Sequence, residues 1–578
     1  MNIQKILSKH VKLALINSGI PQHYDPVIIQ SLKKQKGDYQ INGIMKIAKN
    51  LTISPMILAK KVIANICLYN ICDHIEISEP GFINIYLKTT WIEKKLEEII
   101  QCSRLGIYHS KNPKKIVIDY SSPNIAKEMH VGHLRSTIIG DTMVKIMEFY
   151  GHKVIRANHI GDWGTQFGIL LAYLQNEKKI NTLKKINLKA LEKYYKLSKK
   201  MYLDNEYFAE LSRKYVVKLQ KKDKKIYLLW KRIVNVTIIE NEKIYKILNT
   251  TLRNKDIKGE SAYHNMIPDI IQDLKKKKLA VEKNNSIVVL IDNMKNKKNH
   301  TMGVVIQKKD GASLYASIDL ACLKYRSNIL NAHKIFYYTD SRQVPYLRNI
   351  CEIAKKAGYI NDNIQIIHHY FGMILSNNNK PFQTRSGNTI KLTDLIKESI
   401  ERTKIIIKNK NPLLSEEEIQ NKSAKIGIGA IKYADLSKNR TSNYIFNWNQ
   451  ILLLEGNTAL YIQYTYTRIL SIFRKGNISM FKLPNGINLK QKLEKKLGLK
   501  ILQFEETIEQ VKKSGYPHLI CQYLYELSVL YSNFYQNYPI LFLSESNVTL
   551  SRLKLSLLTA KTIKKGLYLL GIKTIRFL

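Results

Sequence analysis

The order of apolar and polar positions near residue 120 predicts one β–α–β unit. Residues 115–120 form a short run rich in β-branched side chains, as expected for a buried parallel strand. Apolar residues then recur at helical spacing from about 132 to 150, and Gly151 stands where a left-handed helix cap is favoured. Residues 153–158 have the pattern of a second strand. A strand, a helix and a strand in this order imply a parallel sheet with helices on its faces.

The flanking regions carry patterns of other kinds. Alternation of apolar and polar residues over 81–87 predicts a half-buried strand at the end of a mixed first region. Further strand candidates lie at 303–306, 334–338 and 365–369. The segment from about 166 to 290 has a helical, lysine-rich pattern that indicates an insertion within the α/β unit. From about residue 441 the pattern is helical to the end.

These patterns divide the chain into four parts, because 578 residues are too many for one core. Residues 1–110 form an α+β unit. Residues 111–375 form an α/β unit with a parallel sheet, interrupted by the helical insertion at about 166–290. Residues 376–440 connect it to an all-α unit over 441–578.

The charge of the chain favours a polyanionic partner. There are 93 Lys and Arg residues against 46 Asp and Glu, a formal net charge of +47. Each phosphate that Lys or Arg neutralises releases a counterion, so nucleic acid is the obvious partner. Lys, Asn and Ile are abundant everywhere, however, as codon drift in an AT-rich genome would produce. The charge therefore permits RNA binding without establishing it.

Cysteine use and short motifs exclude several classes of protein. The six cysteines are scattered with no C-x-x-C pair, so neither a zinc site nor a disulfide framework is indicated. No stretch reaches the length of a membrane span, and the start has no signal-peptide pattern, which predicts a cytoplasmic protein. Gly427 and Gly429 lack the third glycine of a dinucleotide fingerprint, because Lys432 takes its place, and close helix packing is the better interpretation.

The segment 119–136 carries the most concentrated candidate chemistry. It lies between the predicted strand and helix, where open α/β sheets bind their ligands. His130 and His133 place two imidazoles three residues apart, and Gly132 lets a phosphate or an adenine ring approach the backbone. The helix start offers free N–H groups and a positive dipole end, and Lys127 adds a charge. This set suits stabilisation of the charge on a phosphate under attack, although two histidines alone could also be structural.

The segment resembles the "HIGH" signature of class I aminoacyl-tRNA synthetases, specifically the bacterial arginyl branch. The corresponding stretch comprises Ser122, Pro123, Asn124, Ile125, Ala126, Lys127, Glu128, Met129, His130, Val131, Gly132 and His133. Four more stretches resemble the same branch, at 157–168, 314–326, 338–343 and 427–440. Several motifs in one order favour this family over a chance match.

The resemblance implies a role for each of the four parts. Residues 1–110 would be the additional domain that contacts the tRNA elbow. Residues 111–375 would form a Rossmann-like catalytic domain, and the connecting segment would carry the second ATP signature. Residues 441–578 would bind the anticodon, and their tyrosines, interleaved with Arg468, Arg474 and Lys475, would stack on splayed bases. The alternative for each tyrosine is a place in the helical core.

The resemblance also implies roles for single residues. The catalytic residues would be Lys127, His130 and His133. ATP would be bound by His130, Gly132, His133, Lys127 and Arg385. The arginine ligands would be Asp119, Ser122, Asn124, Tyr315, Asp319 and Gln343, the first three near the α-ammonium group and the last three along the side chain. Physical chemistry supports Asp319, because a carboxylate accepts a guanidinium fork bidentately, although Asp also favours helix starts.

The sequence departs from the class at the second ATP signature, "KMSKS". The corresponding loop is 381–387, and Gln383 stands where relatives often carry lysine. The resemblance implies that Lys127 takes over part of the missing role. Arg385 and Lys380 are the other candidates in this region, and both could equally be solvated loop charges.

The sequence thus predicts an arginine–tRNA ligase. Its substrates would be L-arginine, ATP with Mg²⁺, and tRNA(Arg), with no tightly bound metal or organic cofactor and no membrane partner. The resemblance implies a monomer in which arginine activation requires bound tRNA. Two alternatives stay open at this point: another class I aminoacyl-tRNA synthetase, and a non-catalytic RNA-binding protein derived from a synthetase. The residues Tyr315, Asp319 and Gln343 argue against the first alternative. His130, His133 and Asp319 argue against the second.

Overall fold

The first region of the computed structural model is a four-stranded antiparallel sheet with four helices. The model describes residues 1–31, 37–177, 186–295, 301–309, 311, 314–376, 382, 390–480, 483–484, 486–541 and 546–577. The first elements are α1 (Ile3–Asn17), β1 (Ile28–Gln30), β2 (Tyr39–Ile41), α2 (Gly43–Leu51), α3 (Pro55–Ala64), β3 (Cys72–Ser78), β4 (Phe82–Leu87) and α4 (Thr89–Ile100). The strand order is β1-β2-β4-β3, so the strand predicted from the alternation at 81–87 is a central one.

The predicted β–α–β unit follows. It consists of β5 (Lys115–Asp119), α5 (Val131–Phe149) and β6 (Lys153–Ala157), and the two strands pair in parallel. Ile116, Val117 and Ile118 are all buried, as expected for a strand that is covered on both faces. Gly151 has φ +78°, the left-handed conformation predicted for the residue that ends α5.

A large insertion separates this unit from the rest of the sheet. Its helices are α6 (Thr165–Asn176), α7 (Leu188–Asp204), α8 (Glu206–Gln220), α9 (Lys224–Ile247) and α10 (Ile267–Lys276). The strands β7 (Ala280–Lys283), β8 (Ser286–Lys295) and β9 (Thr301–Gln307) then form an antiparallel sheet. The prediction of a helical segment to about 290 is therefore wrong at its end. Asn284 and Asn285 both have positive φ and close a two-residue hairpin between β7 and β8.

The chain then returns to complete the parallel sheet. The elements are α11 (Tyr315–Lys324), a π-helical turn (Tyr325–Ile329), β10 (Lys334–Tyr337), a 3-10 turn (Ser341–Gln343), α12 (Val344–Lys356) and β11 (Gln365–His368). The sheet has the order β11-β10-β5-β6, and all its pairs are parallel. The chain leaves β5 on one side and comes back on the other, so a crevice opens at the carboxyl ends of β5 and β10.

The remainder is almost entirely helical. It comprises β12 (Ile374–Leu375), α13 (Leu392–Lys410), α14 (Glu416–Leu436), β13 (Tyr444–Ile445), α15 (Trp448–Ile451), α16 (Ala459–Lys475), α17 (Lys492–Leu502), α18 (Phe504–Ser514), α19 (His518–Asn537) and α20 (Ser546–Leu569). The short β13, paired with β12, is a strand that the sequence did not predict. A Cβ on Gly427 would lie 2.9 Å from the carbonyl oxygen of Ser399, so this glycine does serve close helix packing. The predicted fold class is confirmed.

The first and last regions of the chain are joined. The Tyr39 hydroxyl donates to Glu506 at 3.0 Å, and the Gln4 N–H donates to the same carboxylate at 2.9 Å. The N-terminal ammonium forms an ion pair with Glu505. Apolar side chains from α1 to α4, from α5 and from α13 to α20 belong to one hydrophobic core. Within the described residues no helix is long and apolar enough to span a membrane.

Candidate active site

The loop between β5 and α5 is strained and tightly held. Ser121, Ser122 and Ala126 all have positive φ values, of 71°, 48° and 61°. Such residues cost roughly 1–3 kcal/mol each and persist only where the surroundings fix them. The N–H of Ser121 donates to Ser136 at 2.9 Å, and the N–H of Ala126 donates to Thr237 of α9 at 3.1 Å. The insertion therefore helps to fix the loop that precedes the two histidines.

His130 and His133 are arranged as two neutral hydrogen-bond donors. The Nδ1 atom of His133 accepts the N–H of His130 at 3.0 Å, and the Nδ1 atom of His130 accepts the N–H of Gly132 at 3.1 Å. Burial lowers the pKa of both imidazoles, that of His133 to about 3, with Lys127 also lowering the pKa of His130. With Nδ1 as the acceptor, each neutral ring carries its proton on Nε2. The pair can donate to a phosphate but cannot act as cations near neutral pH.

Gly132 and a nearby arginine shape the space beside His130. A Cβ on Gly132 would lie 2.9 Å from Cε1 of His130, so any side chain there would displace the imidazole. Arg342 contributes to the lowered pKa of His130 and forms a bidentate pair with Asp340, at 2.8 and 3.1 Å. Arg342 is an exposed cation at the mouth of the crevice that the sequence analysis did not select. Arg342 lies within the stretch 338–343 that resembles the arginyl branch, and this position is the signal in the sequence that points to it.

Lys127 is partly buried beside the insertion. Its ammonium lies 4.8 Å from the centre of the Tyr195 ring, on α7. Burial lowers its pKa, and the neighbouring Lys199 lowers it further. No carboxylate among the described residues lies within ion-pair distance of this ammonium.

The start of α13 is tied to the same loop. Lys391 forms an ion pair with Glu128. The N–H of Val131 donates to Ile390 at 3.0 Å, and the N–H of Leu392 donates to Met129 at 2.9 Å. The segment that follows the second signature therefore lies against the first. Lys380, Gln383 and Arg385 lie outside the described residues, so their predicted roles stay predictions.

Asp319 lies in an acidic pocket near the crevice. It is the fifth residue of α11, so the alternative that it only starts this helix does not hold. Its carboxylate accepts the Tyr346 hydroxyl at 2.5 Å, and Nε2 of His159 lies 3.8 Å away. Burial raises its pKa. Tyr315 at the start of α11 and Gln343 before α12 are both exposed, so they are available to a ligand.

Glu260 is a second pocket carboxylate that the sequence analysis missed. It is 8% exposed, and its Oε2 has no hydrogen-bond partner within the described part of the chain. Burial raises its pKa to about 8, with Asp319 and then Asp162 raising it further. A Cβ on Gly161 would lie 2.7 Å from the Asn124 amide oxygen and 3.7 Å from Glu260, so these two side chains border one space. A buried carboxyl group without a counter-ion suits a cationic ligand.

Asp119 and Ser122 have partners inside the protein. The Arg326 guanidinium, in the π-helical turn, donates to Asp119 at 2.5 Å, and both side chains are almost fully buried. The Ser122 hydroxyl donates to the other oxygen of Asp119 at 3.1 Å. Asp119 therefore fixes the end of β5, and its predicted contact with an α-ammonium group stays a prediction. Asn124 is exposed, so its side chain is open to a ligand.

The tyrosines of the last region fall into two groups. Tyr531, Tyr523 and Tyr466 are buried in the helical core. Tyr464 and Tyr535 are each 39% exposed, with the Arg468 guanidinium 4.6 Å and 5.3 Å from their ring centres. The core interpretation therefore holds for the first group, and the second group presents an aromatic and cationic surface suited to stacking on bases.

Known proteins resemble this chain along its whole length. Residues 95–448 match the family model described as tRNA synthetases class I (R), catalytic domain. Residues 462–578 match a DALR anticodon binding domain, and residues 1–87 match an arginyl tRNA synthetase N terminal domain.

Individual relatives agree with the family models. Proteins named arginine–tRNA ligase from Buchnera aphidicola subsp. Baizongia pistaciae and from Proteus mirabilis are 53% and 49% identical to the chain, with full coverage of both sequences in each pair. A crystal structure of arginyl-tRNA synthetase from Plasmodium falciparum superposes with a TM-score of 0.86 at 31% identity, covering 100% of this chain and 99% of that one. The Thermus thermophilus arginyl-tRNA synthetase structure, 20% identical, shares the fold with a TM-score of 0.80 and full coverage of both chains.

Proposed function

Because this chain belongs to the arginyl-tRNA synthetase family, we propose that its acidic pocket binds arginine while His130, His133 and Lys127 bind the reacting phosphate. The chain is an arginine–tRNA ligase, an ATP-dependent enzyme that forms arginyl-adenylate and transfers arginine to tRNA. The resemblance predicted from the sequence is confirmed, and neither alternative function is favoured. The observation that carries the assignment of roles is the pair of acidic residues Asp319 and Glu260, with Glu260 bordering the same space as Asn124 of the signature loop.

We propose that the first step needs no general base. The arginine carboxylate attacks the α-phosphorus of ATP, which is supplied with its Mg²⁺ as the substrate, and the bond to the leaving pyrophosphate breaks. The Nε2–H groups of His130 and His133 donate to the phosphate oxygens that gain charge, and Lys127 adds a full positive charge. Positioning and charge stabilisation then account for the catalysis. A terminal ribose hydroxyl of the tRNA next attacks the arginyl carbonyl, and AMP leaves.

The arginine pocket accounts for specificity. Asp319 and Glu260 accept the guanidinium, Tyr315 and Gln343 line the side chain, and Asn124 contacts the α-ammonium group. Bound lysine would leave part of the pair Asp319 and Glu260 without hydrogen-bond donors. Bound citrulline, which is uncharged, would leave the negative charge of this pair unbalanced. A site built on such buried polar contacts rejects both analogues strongly.

The other partners also belong to this proposal. We place anticodon bases on Tyr464, Arg468 and Tyr535, because exposed rings around a guanidinium stack on bases of any sequence. The tRNA elbow contact of the first region, the monomeric state, the cytoplasmic location and the predicted lack of a tightly bound cofactor stay predictions.

The first test is the charging of a tRNA(Arg) transcript with labelled arginine, with lysine as the competing amino acid. We expect arginine to be esterified and lysine to be excluded by about 10⁴-fold.

A Lys127→Ala variant is expected to lose about 10²-fold in charging rate, because a full charge at the phosphate is removed. Equal charging by this variant and the unaltered protein would contradict the assignment of Lys127, and failure of the unaltered protein to charge would contradict the function.

The pKa of Glu260 predicts a pH dependence of arginine binding. With its pKa raised to about 8, this carboxyl group is protonated at neutral pH in the free protein and must ionise to accept a guanidinium. The affinity for arginine should therefore rise roughly eightfold from about pH 7 to about pH 8.5, because the ionised fraction rises by that factor. Calorimetric titration at several pH values measures this. A Glu260→Gln variant provides the control, since its affinity should be lower and nearly independent of pH.

A further inference from the structure

The ammonium group of Lys127 is held by a ring rather than by a carboxylate. The Tyr195 ring centre, 4.8 Å away, is within the distance at which the negative face of an aromatic ring attracts a cation. Glu128, the adjacent acidic residue, is engaged by Lys391, and Glu192 is engaged by Lys196 at 3.0 Å. Both neighbouring carboxylates thus have other partners, and the charge of Lys127 stays available to a ligand.

Helix α7, which carries Tyr195, holds the signature loop at a second point. The Glu192 carboxylate accepts the N–H of Glu128 at 3.4 Å, one residue after Lys127. Glu192 and Tyr195 are three residues apart, so both lie on one face of α7. This face of the insertion therefore contacts two consecutive residues of the strained loop.

Tyr195 is also near enough to Tyr315, at the start of α11, to influence its pKa. Burial raises the pKa of the exposed Tyr315 hydroxyl, and the nearby Glu260 and Tyr195 raise it further. The Tyr195 side chain is half-buried and is not one of the side chains that form the apolar core of the insertion.

We propose that Tyr195 is a positioning residue that holds the Lys127 ammonium over the reacting phosphate, an inference that rests on the proposed function of Lys127. A lysine has four flexible side-chain bonds, and its charge acts in the transition state only while the side chain is held in place. The ring attracts the ammonium without neutralising it, whereas a carboxylate would compete with the phosphate. The insertion thereby contributes one residue to the phosphate site of the parallel-sheet unit.

The test compares Tyr195→Leu with Tyr195→Phe in arginine-dependent ATP–pyrophosphate exchange, with tRNA present. The leucine variant should lose about tenfold in kcat/KM for ATP, because the ring face is gone. The phenylalanine variant should stay within about twofold of the unaltered protein, because a ring face without the hydroxyl still attracts the cation. Tyr207→Leu, an exposed tyrosine on α8, is the matched control and should have no effect.

A double-mutant cycle separates positioning from mere packing. If Tyr195 acts through Lys127, adding Tyr195→Leu to Lys127→Ala should change kcat/KM by no more than about twofold. A tenfold loss in both backgrounds would overturn the proposal, as would equal losses in the leucine and phenylalanine variants. Thermal unfolding of each variant verifies that the fold is kept. If the unaltered protein does not charge tRNA(Arg) with arginine, the proposed function itself is contradicted. Failure of the Tyr195 proposal and failure of the proposed function are therefore distinguishable.

Discussion

Replacing Asp319 by asparagine is expected to reduce kcat/KM for arginine by about 10³-fold, the largest effect of any single change in the arginine pocket. The variant keeps an oxygen that can accept the Tyr346 hydroxyl, so the packing around it is preserved. It removes the charge that faces the guanidinium and leaves a cation buried against a neutral amide. Arginine-dependent ATP–pyrophosphate exchange, with tRNA present, measures the loss.

Two comparisons make this result specific. Asp273→Asn removes a surface carboxylate of α10 that pairs with Lys277, and it should leave the kinetics unchanged. The Asp319→Asn variant should keep its thermal unfolding temperature and its affinity for tRNA. A loss of less than tenfold would mean that Glu260 alone binds the guanidinium and that the predicted role of Asp319 is wrong.

His133→Ala is expected to slow adenylate formation by about 10²-fold or more while leaving tRNA affinity nearly intact. The change removes one of two Nε2–H donors from the proposed phosphate site. It also leaves the N–H of His130 without its acceptor at the start of α5, so a modest loss of stability should accompany the kinetic effect. Single-turnover measurement of adenylate separates this step from transfer to tRNA.

The pH profile gives an independent check of the same histidine. Because the pKa of His133 is lowered to about 3, the ring should stay neutral throughout the range in which the enzyme is assayed. No loss of activity attributable to its protonation should therefore occur between about pH 6 and pH 8. The control is a His74→Ala variant, which changes an exposed histidine of β3 and should leave adenylate formation unchanged. Normal adenylate formation by His133→Ala would refute its assignment.

Local patterns in the sequence were sufficient to predict the strand and the helix that form the crevice. The β-branched run before Asp119 and the helical spacing after Gly132 depend on neighbours in the chain, and both predictions agree with the structure. The hairpin at Asn284 and Asn285 differs from the predicted helical insertion, because the lysine-rich helical pattern around it is longer than the local turn signal that two asparagines provide.

The missed site residues depend on contacts that no local pattern encodes. Glu260 gains its raised pKa from burial and from Asp319, which lies 59 positions further along the chain. Arg326 was within a recognised stretch, yet its partner Asp119 lies at the end of β5, 207 positions earlier in the chain. Likewise, Tyr195 reaches Lys127 only because the insertion folds back over the loop. Such pairings are set by tertiary packing, so the sequence alone could not assign them.

The junction between Glu506 and the first region has a consequence for synthesis on the ribosome. Tyr39 and Gln4 emerge long before α18 is translated, so their carboxylate partner does not yet exist. At typical elongation rates the intervening residues take roughly 20–90 s to appear. During that interval Ile92 and Leu96 of α4, which later lie against Gly498 of α17, stay uncovered, and we expect chaperones to bind the nascent chain. A truncation that removes α18 would therefore destabilise the amino-terminal sheet as well as the helices it removes.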